Sequence, residues 1–252
     1  MFTLVSWNIQ YGKGVDGRID LGRIAQTVHK DGLPDVLCLQ EVSRNYPSTD
    51  EGADQVKELE NFFPDYESFF GAVHDRSGGK EKTRKQFGNL VLTRLSPVQV
   101  LHHLLPSPAD PKARFMSRQI AELVIPANTT ELRVMTTHLE FFSEIQQLAQ
   151  IQRIREIHEE ASCQFHFPGK DMPDTPFELV KRPENTVICG DFNFTPDSTS
   201  YRKMTSRFSD KNMDLVDAWR THQKDNAHTP TCGIFDHKQW KKGPHCRDYF
   251  FI

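Results

Sequence analysis

No pair of cysteines in this chain has CxxC spacing, and the five present (Cys38, Cys163, Cys189, Cys232 and Cys246) are an odd number. A disulfide framework is therefore not expected, and a reduced, cytoplasmic protein is the simplest account. No His/Cys cluster has the spacing of a zinc site. No apolar run approaches the roughly 18 residues of a membrane span. The N-terminus runs from Met1 straight into strand-like Phe2-Thr3-Leu4-Val5, with no basic region before an apolar stretch, so no signal peptide is expected. An excess of positive charge is also missing. The net charge of -3 is not the footprint of a dedicated duplex binder. No internal repeat and no splitting linker is evident. What remains is a chain of 252 residues, 37% hydrophobic and 26% charged, which suits a single domain over 1–252 with a packed core.

Apolar, β-branched segments predict strands at Phe2–Ile9, Asp35–Gln40, Glu67–Val73, Phe87–Arg94, Val98–His103, Arg118–Ile125, Glu131–His138, Thr186–Gly190 and Arg247–Ile252. Helices are predicted at Asp20–Lys30, with Asp20 as N-cap, and at about Gln55–Phe63, stopped by Pro64. The clearest helix follows Ser143, which forms a capping box with Gln146. Its apolar face is read as Ile145, Leu148, Ile154 and Ala161, with Ile151 and Ile157 close by. A long Pro- and Gly-containing loop covers about Phe167–Pro183, and two short helices are expected near Ser198–Arg207 and Leu215–Gln223. Strands predominate and helices are interspersed. That pattern favours two face-to-face sheets with helices outside over a doubly wound parallel sheet.

The informative feature is where polar residues interrupt the apolar runs. Asn8 ends the first strand, Gln40 and Glu41 the second, and Thr137 and His138 a later one; Asp191 and Asn193 follow Val187-Ile188-Cys189-Gly190, and Asp248 opens the last run. A carboxylate at the end of a buried strand is costly unless paired or bound to metal. Taken singly, each residue is better explained by a turn, a cap, an ion pair or a structural histidine. Taken together at strand ends, they predict a shared pocket. Their oxygen donors suit Mg2+ or Mn2+ better than zinc. Phosphoester hydrolysis needs charge neutralisation, a base for water, donors to the nonbridging oxygens and stabilisation of the leaving oxygen, and this set supplies all of these except one full acid–base pair.

The segments Ser6-Trp7-Asn8, Leu39-Gln40-Glu41-Val42, Gly88-Asn89-Leu90-Val91-Leu92-Thr93-Arg94, Thr136-Thr137-His138-Leu139, Gly190-Asp191-Phe192-Asn193 and Arg247-Asp248-Tyr249-Phe250 occur in an order that resembles the endonuclease/exonuclease/phosphatase superfamily. The resemblance implies an α/β (α+β) four-layer sandwich of two mostly antiparallel sheets. It implies one or two Mg2+ or Mn2+ ions held by Glu41, with Asn8 close by. His138 would donate to the phosphate, Asp191 would orient or deprotonate the attacking water, and Asn193 would hold a phosphate oxygen. Asp248 would orient a catalytic histidine. The family pattern closes with a Ser-Asp-His segment on a further strand, whereas this sequence stops at Ile252. The expectation is a trimmed sequence lacking the acid–base histidine, with little turnover by the chain as it stands. Asp236-His237 precedes Asp248 in a loop-like stretch and is not given that role.

For the substrate, a lipid or small-molecule phosphodiester or phosphomonoester is the first reading. A nuclease such as an apurinic/apyrimidinic endonuclease is the alternative, disfavoured by the acidic balance. A noncatalytic binding protein on the same fold is the third reading. Arg114 and Arg118 flank Met116-Ser117 as candidate phosphate contacts. Lys80, Lys82, Arg84 and Lys85 form a basic loop-like run, either solvated or steering an anion. Phe141 and Phe142 are expected in the core, and Trp240 is a candidate stacking group. His166, His228, His237 and His245 receive no role.

Overall fold

The computed structural model describes residues 2–30, 32–79, 82–127, 130–224 and 226–252. Four strands, β1 (Leu4–Asn8), β2 (Val36–Arg44), β3 (Glu67–Ser77) and β4 (Arg84–Thr93), form one sheet in the order β1-β2-β4-β3. Five more, β5 (Gln99–Leu104), β6 (Gln119–Ala127), β7 (Thr130–His138), β8 (Thr186–Asp191) and β9 (Asp248–Phe251), form the second sheet in chain order. Helices α1 (Leu21–Lys30) and α2 (Gln55–Phe62) cover the first sheet; α3 (Glu144–His166) and α4 (Thr199–Met204) cover the second, and α5 (Ala218–Gln223) lies beside β9. The two sheets with helices outside match the strand pattern, and together they make the four-layer α/β sandwich that the family resemblance implies. Pairing is antiparallel except for β1–β2 and β7–β8.

The period-two geometry of a strand explains why the apolar runs are continuous. In β2, Leu37 and Leu39 pack under α1 and α2, while Val36 and Cys38 face the other sheet. In β8, Ile188 faces the α3 layer and Cys189 the seam. Strands buried on both faces have no polar side to show. The seam is lined by small and β-branched side chains, among them Val36, Cys38, Val91, Ala121 and Cys189. All five cysteines are free thiols.

Several local expectations shift. Arg84 and Lys85 lie within β4, where Arg84 pairs with Asp75 at 2.6 Å and the Lys85 ammonium sits 6.0 Å from the Tyr46 ring centre. Lys82 is exposed, and Lys80 falls outside the described residues. The α3 capping box is half made. Ser143 Oγ accepts from Gln146 N, but the Gln146 amide turns to the Pro108 carbonyl instead of back to the cap. The buried stripe of α3 is also rotated from the one expected: Ile145 is exposed, and Gln147, Gln150, Ile151, Ile154, Ile157 and His158 face inward.

A buried ionic cluster ties β5, β6 and β7 to α3 and the segment before β8. Glu122 accepts from Arg182 (2.9 and 2.8 Å) and contacts His103 Nε2 at 2.8 Å; Arg133 lies 3.9 Å away. Arg133 Nη2 donates to His158 Nδ1 at 2.8 Å, and His158 Nε2 donates to the Met213 carbonyl at 3.1 Å. That fixes a neutral tautomer, because a proton on Nδ1 would face the guanidinium. Burial, then Arg133, pulls His158 from 6.5 to about 4. Burial works against ionisation of Glu122, but hydrogen bonds from His103 and Arg182 outweigh it and hold the carboxyl at about 2 instead of 4.5.

Linkage gives both groups the same sign. Between 6.5 and about 4 the unfolded chain binds the proton that folded His158 refuses, so stability falls as pH falls through that window. The Glu122 contribution is complete above 4.5 and is lost as pH drops toward 2. Urea unfolding across the acid range should show the upper loss in the parent and not in His158→Gln; a midpoint independent of pH in the parent would refute the His158 assignment.

Candidate active site

The parallel pairs β1–β2 and β7–β8 place strand C-termini side by side, at the same end of both sheets. Asn8 pairs in register with Gln40, and His138 with Asp191. Gln40 locks the two ends together from inside: its Nε2 donates to Ser6 Oγ at 3.2 Å and to Thr136 Oγ1 of the facing sheet at 3.0 Å.

Two backbone irregularities aim the carboxylates. In β2, Leu39 opposes Leu90 and Val42 opposes Gly88, so Gln40 and Glu41 together face Asn89. Glu41 takes a left-handed conformation, φ +61°. A bulge that re-aims one side chain at the cost of an unfavourable φ is common beside functional sites. In β8, Gly190 has φ +141°, and a Cβ there would stand 1.9 Å from the Thr137 carbonyl oxygen. Only glycine lets β8 approach β7 this closely.

Asn8, Glu41, His138 and Asp191 meet at this edge. Asn8 Nδ2 donates to Glu41 Oε1 at 2.9 Å and to Asp191 Oδ2 at 3.0 Å, while its Oδ1 accepts from Gln10 N. Asn8 therefore bridges the carboxylates, with its oxygen turned to the backbone. His138 Nε2 lies 3.9 Å from Glu41 Oε1 and 3.8 Å from Asp191 Oδ2. Burial and then Arg118 keep this imidazole well below its ordinary pKa. Burial raises both Glu41 and Asp191, against the donors from Asn8. Asn193 N donates to Asp191 Oδ1 at 2.9 Å, and Asn193 Nδ2 donates to the Leu139 carbonyl, leaving one amide hydrogen over.

Asp248 pairs with Asp191 across β8–β9 and accepts from Thr231 Oγ1. Burial, reinforced by Asp191, pushes its carboxyl up to about 7. Arg118 is 4% exposed, its Nε 3.5 Å from Glu140 Oε2; its Nε and Nη1 have no hydrogen-bond partner among the described residues. Arg114 does not join this group: it is exposed on the rim, its guanidinium 5.5 Å from the Phe142 ring centre.

All of these except Arg114 line one cleft of about 1130 Å³. Its wall includes residues that the sequence reading left out or placed elsewhere. Phe141 and Phe142 are exposed here and not in the core. Arg247 lies between the Phe141 and Trp240 rings at 5.0 and 4.8 Å and donates to the Asn193 carbonyl at 2.7 Å. His245 accepts from Arg247 Nε, and His228 pairs with Asp217 at 2.6 Å. Asp236 instead accepts from the backbone of Lys238 and Gln239, shaping its own loop. Gln147 donates to the carbonyls of Glu140 and Asn193, and Gln150 accepts from Glu140 N. Glutamines inside an otherwise apolar helix face were the available signal for this role.

Among the described residues, no group of three His, Cys, Asp or Glu side chains is arranged to hold a metal unaided. The donor set still fits a hard divalent cation. Mg2+ keeps several waters and uses one or two carboxylates, and Glu41 with Asp191 presents buried negative charge that lacks a full counterion.

A sequence model described as Endonuclease/Exonuclease/phosphatase family matches residues 5–252. No curated protein sequence matches the chain. Among solved structures, an endonuclease/exonuclease/phosphatase from Beutenbergia cavernae is similar with TM-score 0.67 and 20% identity, over 99% of this chain and 63% of that one. The mannosyl-6-phosphatase Bt3783 of Bacteroides thetaiotaomicron gives 0.65 and 18%, over 100% and 85%. The human Nocturnin catalytic domain gives 0.58 and 18%, over 99% and 80%. The chain thus spans under two thirds of the Beutenbergia protein's length, and at these identities the likeness is one of fold.

Because a Cβ at position 190 must displace the β7 backbone, Gly190→Ala should lower stability by on the order of 3 kcal/mol in denaturant unfolding. A variant as stable as the parent would show that β8 does not approach β7 this closely.

Proposed function

The chain belongs to the endonuclease/exonuclease/phosphatase family, and on that premise we propose that it hydrolyses phosphoester bonds with the help of a divalent cation, Mg2+ or Mn2+. The observation that supports this most directly is the meeting of Glu41, Asp191 and His138 around the Asn8 amide, with unpartnered Arg118 N–H groups in the same cleft. Glu41 would hold the cation, with Asn8 keeping its carboxylate in place. The cation, when bound, supplies neutralisation of the charge gathering on the phosphoryl oxygens.

The remaining work falls to side chains. Asp191 takes the proton of the attacking water, and the two asparagine donors on its carboxylate fix its direction. Arg118 has no competing full-strength partner for Nε and Nη1, so its N–H groups are available to the nonbridging oxygens. His138, held neutral, donates a hydrogen bond without adding a charge, and Asn193 offers its remaining amide hydrogen. Asp248 is assigned to orienting an acid–base imidazole at the phosphate. Such a set is complementary to a trigonal-bipyramidal phosphoryl group and would favour it over the ground state.

Full-length protein should hydrolyse an aryl phosphodiester or phosphomonoester when Mg2+ or Mn2+ is supplied, and EDTA should stop it. Asp191→Ala should cut kcat by about 10²- to 10⁴-fold while the unfolding midpoint moves little. A variant retaining the parent rate would remove Asp191 as the base, and turnover unaffected by chelation would remove the cation from the proposal.

A further inference from the structure

The floor of the cleft is polar, but its mouth is not. The loops leaving the C-terminal ends of β1 and β7, and the loop entering β9, carry Val15, Phe141, Phe142, Ile234 and Phe235 around the opening. Val15 is 70% exposed, Phe142 54% and Phe235 79%. These side chains come from separate loops and line the same opening. Phe141 touches Phe142 and Trp240 edge-on, at 4.9 and 5.9 Å between ring centres, and Gln10 donates to Gln239 across the opening at 3.2 Å. Phe115 is exposed beside Arg114, which itself covers Phe142. Single exposed apolar residues need no explanation, but a ring of them around one opening marks an interaction surface.

Charge on these loops identifies the partner. Lys13, Lys238, Lys241 and Lys242 are exposed on them, and Lys112 and Arg114 on the loop between β5 and β6, although the chain as a whole carries -3. Of the nearby acids, Asp16 is paired with Arg23, while Asp110, Asp236 and exposed Glu144 keep their charge, so the exposed cations outnumber the unpaired acids on this rim. Lysines beside apolar loop tips complement a surface that has anionic headgroups above hydrocarbon. A nucleobase would be met by aromatic faces alone, whereas Val15 and Ile234 are aliphatic and offer nothing to stack.

We propose that the rim of the cleft docks on an anionic lipid surface, with Val15, Phe142 and Phe235 inserting among the headgroups and the lysines meeting their charge. This deepens the proposed function by making the substrate a phosphoester presented at that surface. Docking is measured without turnover, and aryl phosphoester hydrolysis needs no lipid, so the two ideas fail separately.

The test is co-flotation of the full-length protein, in EDTA, with phosphatidylcholine vesicles with or without phosphatidylserine. Binding should need phosphatidylserine and weaken with salt. Val15→Ser, Phe142→Ser and Phe235→Ser should each reduce it by about tenfold. Phe177→Ser, on the exposed loop at the opposite end of β8, should leave it unchanged. No binding to charged vesicles, or equal loss from Phe177→Ser, overturns the proposal. So does tighter binding to a single-stranded oligonucleotide that depends on Phe142, which would make the rim a base-stacking platform.

Discussion

One asparagine amide shared by two carboxylates from opposite sheets is the contact on which the geometry of the cleft floor depends. Asn8 Nδ2 has two hydrogens and spends them on Glu41 and Asp191. That requires β1 and β2 to end level with β8 across the seam. The seam permits it because Cys38, Ala121 and Cys189 are small and Gln40 bridges it by hydrogen bonds. Buried carboxylates repel each other and miss their water. Here burial raises both pKa values, while Arg118, beside them, pulls both down. The balance leaves a site short of positive charge and rich in hard donors, which is the physical basis for assigning it a divalent cation.

Most of the fold was legible because β-strands buried on both faces read as unbroken apolar runs. The polar floor was legible for the converse reason. Asn8, Glu41, His138, Asp191 and Asp248 end or begin such runs, where an unsatisfied polar group is expensive, so their presence called for a partner. The bulge at Gln40-Glu41 was not legible. A left-handed φ is ordinarily announced by glycine, asparagine or aspartate, and Glu41 is none of these. Periodicity failed in α3 for a different reason: it identifies residues that share a face but not which face meets the sheet. Ile145 falls outside and Gln147 inside, because the first turns of the helix pack against loops with carbonyls to satisfy. Phe141 and Phe142 were misjudged because aromatic character is equally consistent with a core and with a ligand-facing wall.

The inward glutamines show how the site keeps its shape. After His138 and Asp191 the chain leaves both strands, and the carbonyls of Glu140 and Asn193 lose their ladder partners. Gln147 takes up both, Arg247 adds a second bond to Asn193, and Gln150 receives the Glu140 amide. Buried backbone groups must be paired somewhere. Pairing them through one helix ties the turns after β7 and β8 to the same support. A polar residue that looks like an error in an amphipathic pattern is here the support for the turn that holds Asp191 and Asn193.

Burial also links the floor of the cleft to its mouth. The low polarity that raises Glu41 and Asp191 and keeps His138 neutral also strengthens the attraction of Arg118 for an anion. That advantage grows as water is excluded. A rim of exposed lysines would not exclude water, and a rim of apolar side chains alone would not orient a charged surface. The observed rim combines them, with Arg114 over Phe142 and Arg247 between Phe141 and Trp240. Covering that rim would complete the enclosure that the strand ends begin, so docking and phosphoester chemistry draw on the same loss of solvent.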